Sequence, residues 1–448
     1  MALFHLFPIP ASKISLAIQI SGAVFLLANL FFVKKIAERL SLKPIVSYLA
    51  VVLTAFYVPL NNWGLQGMEV SILTLTLTAT TWLILINLQK DNFSPWPYVI
   101  LGLGTLVRID IAVPYLVILL FLFLFDAPNR ARHILWGIGL LVLFLGSQTL
   151  LRYVYYGNPL PNTYYLKMAG FPMITRIKRG GYVLIKLIKQ MNWVLIFLPF
   201  TILYSRRDRP ILLLFLLVIG QVAYSVYVGG DAWEHRGGSN RYIALSIPLF
   251  FILFVYSLDQ ILEKISNIRE NPANKFIPLA VNVGLLAVVT ASMVNFNFLV
   301  NTRSLERWLL LRQPNFIEAN KEYIHIANAL KQFATSQTRI AVVTAGAIPY
   351  FSELPAIDLL GKNDPFIAHQ NNHLPANLAD IRPGHMKWDY DYAIGQLKPD
   401  VVVQLWGETQ NAEAYLKQNY TIIEVDGMLF SVRTHSPNIL WEKVKIQP

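Results

Sequence analysis

Long apolar runs separated by short charged loops fill the first two-thirds of the chain. ILLLFLLVIGQVAYSVYV (211–228) is one such run, and no charged residue interrupts it. A helix needs about 20 apolar residues to cross the hydrocarbon core of a bilayer. The pattern predicts a polytopic α-helical membrane protein of about ten spans. These lie near 15–33, 44–60, 68–88, 97–107, 110–125, 134–153, 192–205, 210–228, 242–260 and 276–296.

The composition supports a membrane protein and argues against a nucleic-acid-binding one. Hydrophobic residues make up 55% of the 448 residues and charged residues only 14%, where soluble domains carry roughly a quarter. The net charge of +12 comes from basic residues placed between apolar runs, which is typical of a topology signal. We therefore expect a lipid bilayer as partner and no nucleic acid. The chain has no cysteine, which excludes disulfides and thiolate metal sites.

The basic loops predict the orientation in the membrane. One set of loops carries most of the cations, and the positive-inside rule assigns this set to the cytoplasm. With ten spans, both termini then lie outside, in a multi-pass protein of the plasma membrane. The basic residues are Lys34, Lys35, Arg39, Lys43, Lys90, Arg130, Arg132, Arg206, Arg207, Arg209, Lys264, Arg269 and Lys275.

One outward segment, 154–191, is basic as well. Its stretch ITRIKRGGYVLIKLIKQ spaces apolar residues for one helical face and cations for the other. This pattern predicts a helix on the membrane surface. Ordinary lipid anchoring and a role in holding a lipid-linked phosphate both remain open.

The composition changes after residue 296, so we divide the chain into a transmembrane domain (1–296) and an extracytoplasmic α/β domain (297–448). RIAVVTAG (339–346), KPDVVVQLWG (398–407) and TIIEVDGMLFSVRT (421–434) are typical of buried strands. They alternate with helical stretches such as FIEANKEYIHIANALKQF (316–333).

The chemically notable side chains fall on the predicted outer side. Charges near the bilayer are costly, so their convergence indicates a site. Each also has a structural alternative: Glu69 could only cap its helix, and Arg108 with Asp110 could be a structural ion pair. The set comprises Glu69, Arg108, Asp110, Asn162, Lys167, Asp231, Glu234, His235, Arg236 and Arg241.

Carboxylates and cations at an outer membrane surface suit sugar transfer from a lipid phosphate. A carboxylate can take the proton of an acceptor hydroxyl, and arginine, lysine or histidine can neutralise the departing phosphate. No GxxxxGK[ST] loop is present, in agreement with an already activated donor.

Five segments, in order across residues 61–403, resemble a family of bacterial GT-C-type membrane glycosyltransferases that add terminal arabinofuranose to cell-wall arabinan. YVGGDAWEHRGGSNRYIALSIP is similar to the family's "GGD…R(F/Y)…P" segment, and YYGNPLPNTYYLK to its "YYG…PNTYYAK" segment. GMEV and LVRID resemble its helix start and hinge. The last match comprises TAGAIPYFSELPAIDLLGKNDPFIAHQ (344–370) and PGHMKWDYDYAIGQLKPDVVV (383–403).

The resemblance implies a polyprenyl-phosphate-linked sugar as donor and a cell-surface glycan as acceptor. It suggests a pentose, without excluding a hexose. We expect the donor phosphate near Arg108, Lys167, Arg241, His235 and Arg236. Asp110 and Asn162 are candidate substrate-binding residues, and the outer domain adds Tyr350, Asp358, His385 and Lys387. For Asp358 and His385, turn formation and domain packing are the alternative.

The family's expected base lies on an aspartate-bearing first outer loop, and no acidic residue precedes Glu38 here. A mis-assigned start, a truncated gene or a variant base would each explain this. Within the sequence, Asp231 is the first candidate for the base and Glu69 the second. Asp231 and His235 could also bind a divalent cation, although two ligands are too few to predict a metal or any other cofactor. A non-catalytic partner of a transferase, or a lipid or solute transporter, remains the alternative function.

Overall fold

The computed structural model describes residues 2–41, 43–190, 196–205, 208–232, 234, 240–268, 279–280, 282–284, 286–288, 306, 311–313 and 316–446. The chain forms two units. We call Met1–Pro159 with Arg176–Arg312 the membrane unit, and Leu160–Thr175 with Gln313–Pro448 the C-terminal unit. The predicted boundary between 296 and 297 lies outside the described residues, so this division of the chain stays a prediction. Leu160–Thr175, which we assigned to the first domain, groups with the second unit.

The membrane unit consists of helices. They are α1 (Ala2–His5), α2 (Ala11–Leu40), α3 (Pro44–Ala55), α4 (Val58–Leu65), α5 (Val70–Gln89), α6 (Trp96–Val107), α7 (Ala112–Phe125), α8 (Arg130–Tyr156), α10 (Met173–Gln190), α11 (Phe200–Ser205), α12 (Arg209–Tyr227), α13 (Arg241–Ala244) and α14 (Ile247–Ile268). Helix α9 (Asn162–Met168) and the first three residues of α10 group with the C-terminal unit.

Four described helices are long and apolar enough to cross a membrane: Ser12–Leu40, Val70–Gln89, Ala127–Tyr156 and Arg209–Tyr227. A fifth is added if α3 and α4, bent by 54°, count as one span. Helices α6 and α7 are short and apolar, and Arg108 joins them in extended conformation, which is the hinge that the sequence predicts. The predicted span 276–296 lies mostly outside the described residues, and the count of ten stays a prediction.

Ion pairs and a buried hydrogen-bond chain connect the helices at the end of the membrane unit that contains the α2–α3 and α7–α8 loops. Lys43 Nζ lies 3.0 Å from Asp259 Oδ1 and 3.0 Å from Glu263 Oε2. His133 Nε2 lies 2.8 Å from Asp126 Oδ2, and its Nδ1 lies 2.9 Å from Tyr98 Oη. Buried polar groups need such partners, because an unpaired one loses its hydration without compensation.

The C-terminal unit contains a six-stranded sheet. The strands are β1 (Ile340–Val342), β2 (Ala356–Asp358), β3 (Val401–Val402), β4 (Tyr420–Val425), β5 (Met428–Arg433) and β6 (Lys445–Ile446). Their order in the sheet is β2-β1-β3-β5-β4-β6. Strands β1, β2 and β3 are parallel, whereas β5 pairs antiparallel with β3 and β4, and β6 with β4. Its helices are α9, α15 (Ile317–Phe333), α16 (Ala347–Ser352), α17 (Pro365–His369), α18 (Gln410–Asn419) and the π-helix Asp391–Gln396.

The core of this unit forms between α15 and the sheet. Leu330 and Phe333 of α15 are fully buried with Ile340 and Val432 of the strands. Asp426 and Gly427 have positive φ angles and connect β4 to β5, as expected for a two-residue hairpin turn. The stretch 421–434, which the sequence predicts as a buried strand, therefore contains two strands, β4 and β5, joined by this turn.

Candidate functional site

Helix ends bring charged side chains together at one end of the membrane unit. Helix α5 begins after Glu69, α6 ends before Arg108, and the loop from α12 to α13 contains Asp231. Successive helices run in opposite directions, so the start of one and the end of the next meet at the same end of the unit. We call Glu69, Arg108, Asp110, Asp231 and Arg241 the charged cluster.

Arg108 forms ion pairs with two carboxylates. Its Nη1 donates to Glu69 Oε1 at 2.6 Å, and its Nη2 lies 2.6 Å from Asp110 Oδ2. Its guanidinium carbon lies 4.7 Å from the centre of the Tyr242 ring, a cation–π distance. The pair of Arg108 with Asp110, considered above as a structural alternative, therefore exists, and it includes Glu69 as well.

Asp231 holds Arg241 with both of its carboxylate oxygens. Arg241 Nε donates to Oδ2 and Nη2 to Oδ1, each at 2.7 Å, which is the bidentate geometry of a strong charge-assisted pair. The backbone amides of Ala232 and Arg241 also donate to this carboxylate. Asp231 is only 1% exposed. Its oxygens are thus occupied, and its clearest structural effect is to orient Arg241.

The two ion-pair groups are adjacent, because Tyr242, whose ring Arg108 contacts, directly follows Arg241 in the chain. The Tyr224 and Tyr242 rings meet edge to face, 5.4 Å apart. On the other side of Arg241, the Trp63 ring lies 5.5 Å from the guanidinium carbon.

A second layer of contacts reaches this cluster from α10. Arg179 donates to the carbonyl oxygen of Gly229, and its Nη1 lies 3.1 Å from Glu234 Oε2. Glu234 Oε1 accepts from the Asp231 amide at 2.7 Å and from Asn240 Nδ2 at 2.9 Å. Asn240 in turn caps α13, because its Oδ1 accepts from the amides of Tyr242 and Ile243.

Two glycines make this second layer sterically feasible. Gly229 and Gly230 have φ angles of 85° and 78°, in the left-handed region that favours glycine. A Cβ on Gly230 would lie 2.6 Å from Arg179 Nη1 and 2.7 Å from Glu234 Oε1. The sequence GGD therefore serves both to turn the backbone and to admit two side chains.

The environment of Glu234 changes its acidity. Burial raises the pKa of Glu234 to about 7, although Arg179 and the two hydrogen bonds that it accepts favour the charged form. At neutral pH the carboxyl group therefore exists in both protonation states, next to a cluster whose other acids are ion-paired.

The structure brings Glu69, Arg108, Asp110, Asp231 and Arg241 together in the membrane unit. His235 and Arg236 lie outside the described residues. Sequence reasoning missed Arg179, Tyr242 and Trp63 as neighbours of the site. It also expected the cations of α10 on the face opposite its apolar residues, but Arg176 and Arg179 are 6% and 5% exposed. The GG pair before Asp231 was the signal that something approaches this backbone closely.

The remaining candidate residues lie in the C-terminal unit, three of them with mainly structural contacts. Asp358 accepts from the amides of Leu360 and Asn363, which is a turn-forming role. Lys387 is 1% exposed and donates to the carbonyl oxygens of Tyr165 and Ala368. Asn162 Nδ2 lies 3.3 Å from the carbonyl oxygen of Lys362.

The other three C-terminal candidates are less informative. His385 is buried, 6.0 Å from the Trp406 ring. Tyr350 is partly exposed and meets Phe351 edge to face. Lys167 lies in the last turn of α9, and a Cβ on Gly384 would lie 3.4 Å from its Cγ and Cε. Binding roles for all six residues stay predictions.

The described residues include no group of three or more histidine, aspartate or glutamate side chains suited to a metal ion. Asp231 directs its oxygens to Arg241, so it offers no free carboxylate for a cation in this arrangement. His235, the second ligand considered above, is outside the described residues.

The long apolar helices define a multi-pass membrane protein, and comparisons with known proteins agree in the fold. The chain is similar in structure to ArnT from Cupriavidus metallidurans bound to undecaprenyl phosphate, with a TM-score of 0.53 and 14% identity over 97% of this chain and 86% of that chain. The apo state of the same protein gives 0.51 and 14% over 96% and 85%.

Two sequence families match parts of the chain. Residues 6–151 match the dolichyl-phosphate-mannose-protein mannosyltransferase family. Residues 314–439 match a domain of unknown function, DUF8728. No curated protein sequence matches the chain.

Proposed function

We propose that the protein is a glycosyltransferase that moves a sugar from a polyprenyl-phosphate donor to an acceptor hydroxyl at the outer face of the membrane. The observation that carries this proposal is that Arg108 and Arg241, both largely shielded from solvent, belong to one charged cluster at one end of the membrane unit. Two guanidinium groups in such a cluster suit a phosphate. The fold of ArnT, solved bound to undecaprenyl phosphate, supports the same donor class.

In the proposed reaction the acceptor oxygen attacks the anomeric carbon of the donor sugar. The bond from that carbon to the phosphate oxygen breaks, and the electron pair leaves with the polyprenyl phosphate. Arg108 and Arg241 stabilise the negative charge that grows on the leaving phosphate. The proton of the acceptor hydroxyl passes to a carboxylate.

The contacts of the two candidate bases favour Glu69 over Asp231 for the proton. The Glu69 side chain is 26% exposed and shares one oxygen with Arg108. Asp231 is buried, and Arg241 occupies both of its oxygens. We propose that Asp231 is a positioning residue that holds Arg241, and that Glu69 accepts the proton.

The charge asymmetry of the membrane unit supports the outer face. The end opposite the charged cluster carries Lys43 and the loops with Lys34, Lys35, Lys90, Arg130 and Arg132, and the positive-inside rule assigns such loops to the cytoplasm. In this orientation the protein works in the plasma membrane with an extracytoplasmic C-terminal unit. We propose that this unit presents a glycan acceptor, with arabinofuranose as the first donor sugar to test.

The test is transfer of radiolabelled sugar from a polyprenyl-phospho-sugar by the purified protein, with pentose and hexose donors in parallel. Glu69→Gln should lower kcat by roughly 100-fold or more while donor binding persists. Asp231→Asn should raise the KM for the donor, because Arg241 loses its partner. Full activity in Glu69→Gln would exclude Glu69 as the base.

A non-catalytic partner of a transferase is the second candidate, and a specific observation favours it. Glu69, Asp110 and Asp231 all form ion pairs with arginines, so the described cluster has no unpaired carboxylate ready to act as a base. This candidate predicts that the purified protein binds polyprenyl phosphate but transfers no sugar from either donor. A transporter has no such support.

A further inference from the structure

Helix α10 has three distinct faces. At 3.6 residues per turn, Arg176, Arg179, Gly180, Val183 and Leu187 fall on one side, and all five are buried in the membrane unit. The opposite side is exposed and divides into an apolar flank and a basic flank. A helix that only packed on protein would not need both flanks.

The apolar flank carries large exposed aliphatic side chains. Ile174 is 62% exposed and Ile185 is 56% exposed. They lie within about 20° of each other around the helix axis, since each residue turns the helix by about 100°. Two large aliphatic side chains exposed on one stripe of a helix indicate contact with an apolar medium.

The basic flank lies directly beside the apolar one. Lys178, Lys186 and Lys189 are exposed, and none forms an ion pair or hydrogen bond with the part of the chain that the structure describes. An apolar stripe beside a lysine stripe is the geometry of a helix at the bilayer interface, where lysines meet phosphate headgroups. Each such lysine adds electrostatic attraction to an anionic surface.

The buried face connects α10 to the loop of the charged cluster. A Cβ on Gly180 would lie 2.3 Å from the carbonyl oxygen of Val226, so the helix packs directly on the end of α12. Arg179 bonds the Gly229 carbonyl and pairs with Glu234, which holds the Asp231 amide. A displacement of α10 would therefore displace this loop.

We propose that α10 binds anionic phospholipid headgroups of the surrounding bilayer through Lys178, Lys186 and Lys189, and that Arg179 transmits this binding to the Gly229–Glu234 loop. The dynamics of this loop thus depend on the charge of the membrane surface. This role is separate from the proposed sugar transfer, and its test needs no donor or acceptor.

The first experiment measures headgroup binding. Because the chain has no cysteine, Ile185→Cys accepts a single environment-sensitive maleimide fluorophore. The full chain is reconstituted in vesicles of phosphatidylcholine alone or of phosphatidylcholine with phosphatidylglycerol. We expect a blue shift of the emission in the anionic vesicles that salt reverses.

The lysines are tested by substitution. The triple variant Lys178→Gln, Lys186→Gln, Lys189→Gln should abolish this shift. The matched control changes three exposed lysines of the C-terminal unit, Lys417, Lys443 and Lys445, to glutamine and should retain it. A shift that survives in the α10 triple variant, or that is absent from the wild type, overturns the proposal.

The second experiment measures the transmission to the loop by hydrogen–deuterium exchange in the same vesicles. Peptides covering the end of α12 and the loop should exchange several-fold more slowly in anionic vesicles. The α10 triple variant and the double variant Arg179→Gln, Glu234→Gln should lose this difference, and the double change avoids an unpaired buried charge. Equal exchange of the wild type in both vesicles overturns the transmission.

Discussion

Glu234 makes the stability of the protein depend on pH near neutrality. Burial raises the pKa of Glu234 from 4.5 to about 7, so the folded state binds this proton more tightly than the unfolded state. The stabilising contribution is therefore complete below about pH 4.5 and is lost as the pH rises through 7.

We expect the wild type to lose stability between pH 5 and pH 8 relative to Glu234→Gln, by roughly 3 kcal/mol at most. Glutamine resembles the protonated acid in shape and keeps an oxygen for the amide of Asp231. Thermal unfolding in detergent across this pH range measures the difference. Parallel curves for the two proteins would contradict the raised pKa of Glu234.

Gly230 tests whether the second layer needs space as well as a left-handed backbone. Gly230→Ala places a methyl group 2.6 Å from Arg179 Nη1 and also strains a backbone at φ 78°. Gly157→Ala is the matched control, because Gly157 has φ 71° and nothing lies within 4 Å of the position that its methyl group would take.

Both substitutions incur the backbone strain, roughly 1–3 kcal/mol. We expect Gly230→Ala to lower the melting temperature further than Gly157→Ala, since only the former displaces Arg179 and Glu234. Equal losses of melting temperature in the two variants would mean that Arg179 moves away from the added methyl group without destabilising the protein.

For single residues, the sequence predicts the members of the charged cluster but not their pairing. Glu69, Arg108 and Asp231 are visible because charges next to apolar runs are expensive. That Asp231 directs both oxygens to Arg241 depends on the φ angles of the loop and on Asn240, which sequence spacing does not reveal. The sequence predicts that Arg179 faces the lipid headgroups, because α10 has cations on both its buried and its exposed sides. The spacing of residues does not distinguish these two sides.

Helix α10 and the end of α12 form a contact that depends on a single glycine. A methyl group on Gly180 would meet the carbonyl oxygen of Val226 at 2.3 Å and its Cα at 2.6 Å, and neither backbone atom can move alone. Its neighbour Gly181 has nothing within 4 Å of the same position. The two glycines therefore provide an internal comparison on one helix.

We expect Gly180→Ala to destabilise the protein and Gly181→Ala to be neutral or stabilising by about 0.5–1 kcal/mol, the helix preference for alanine over glycine. Thermal unfolding of both variants in detergent measures this. If Gly180→Ala were as stable as Gly181→Ala, the close packing of α10 on α12 would be wrong.

Helices are easier to predict than their environments. Apolar runs locate α5 and α12 to within two residues and α8 to within four, because hydrophobic length specifies a span. Helix α2 instead continues seven residues beyond the predicted end at residue 33. The short pair α6 and α7 is also visible from Arg108 and Asp110. The burial of one face of α10 is not, since residues that face lipid and residues that face protein can both be apolar.

For the protein as a whole, orientation in the membrane can be tested directly. The chain has no cysteine, so single cysteines report accessibility without background. Asn158→Cys follows α8 on the predicted outer side, and Asn92→Cys lies between α5 and α6 on the predicted cytoplasmic side. A membrane-impermeant maleimide should label the first in intact cells and the second only after lysis. The reverse result would invert the proposed topology.

Hydropathy along the chain does not predict which segments form each of the two units. Hydropathy places the domain change after residue 296, whereas Leu160–Thr175 packs with residues far beyond it. Phe171 is buried with Ile381 and Met386, and the Tyr165 ring lies 4.0 Å from that of His369. Contacts between such distant segments leave little local signal in a sequence.

The buried ammonium group of Lys387 has a consequence for biosynthesis. It bonds the carbonyl oxygen of Tyr165, which precedes it by 222 residues. At a translation rate of roughly 5–20 residues per second, the α9 segment emerges roughly ten to forty seconds before this partner exists. During that interval the carbonyl oxygen of Tyr165 has no bond from Lys387, so this contact of the C-terminal unit forms only late in translation.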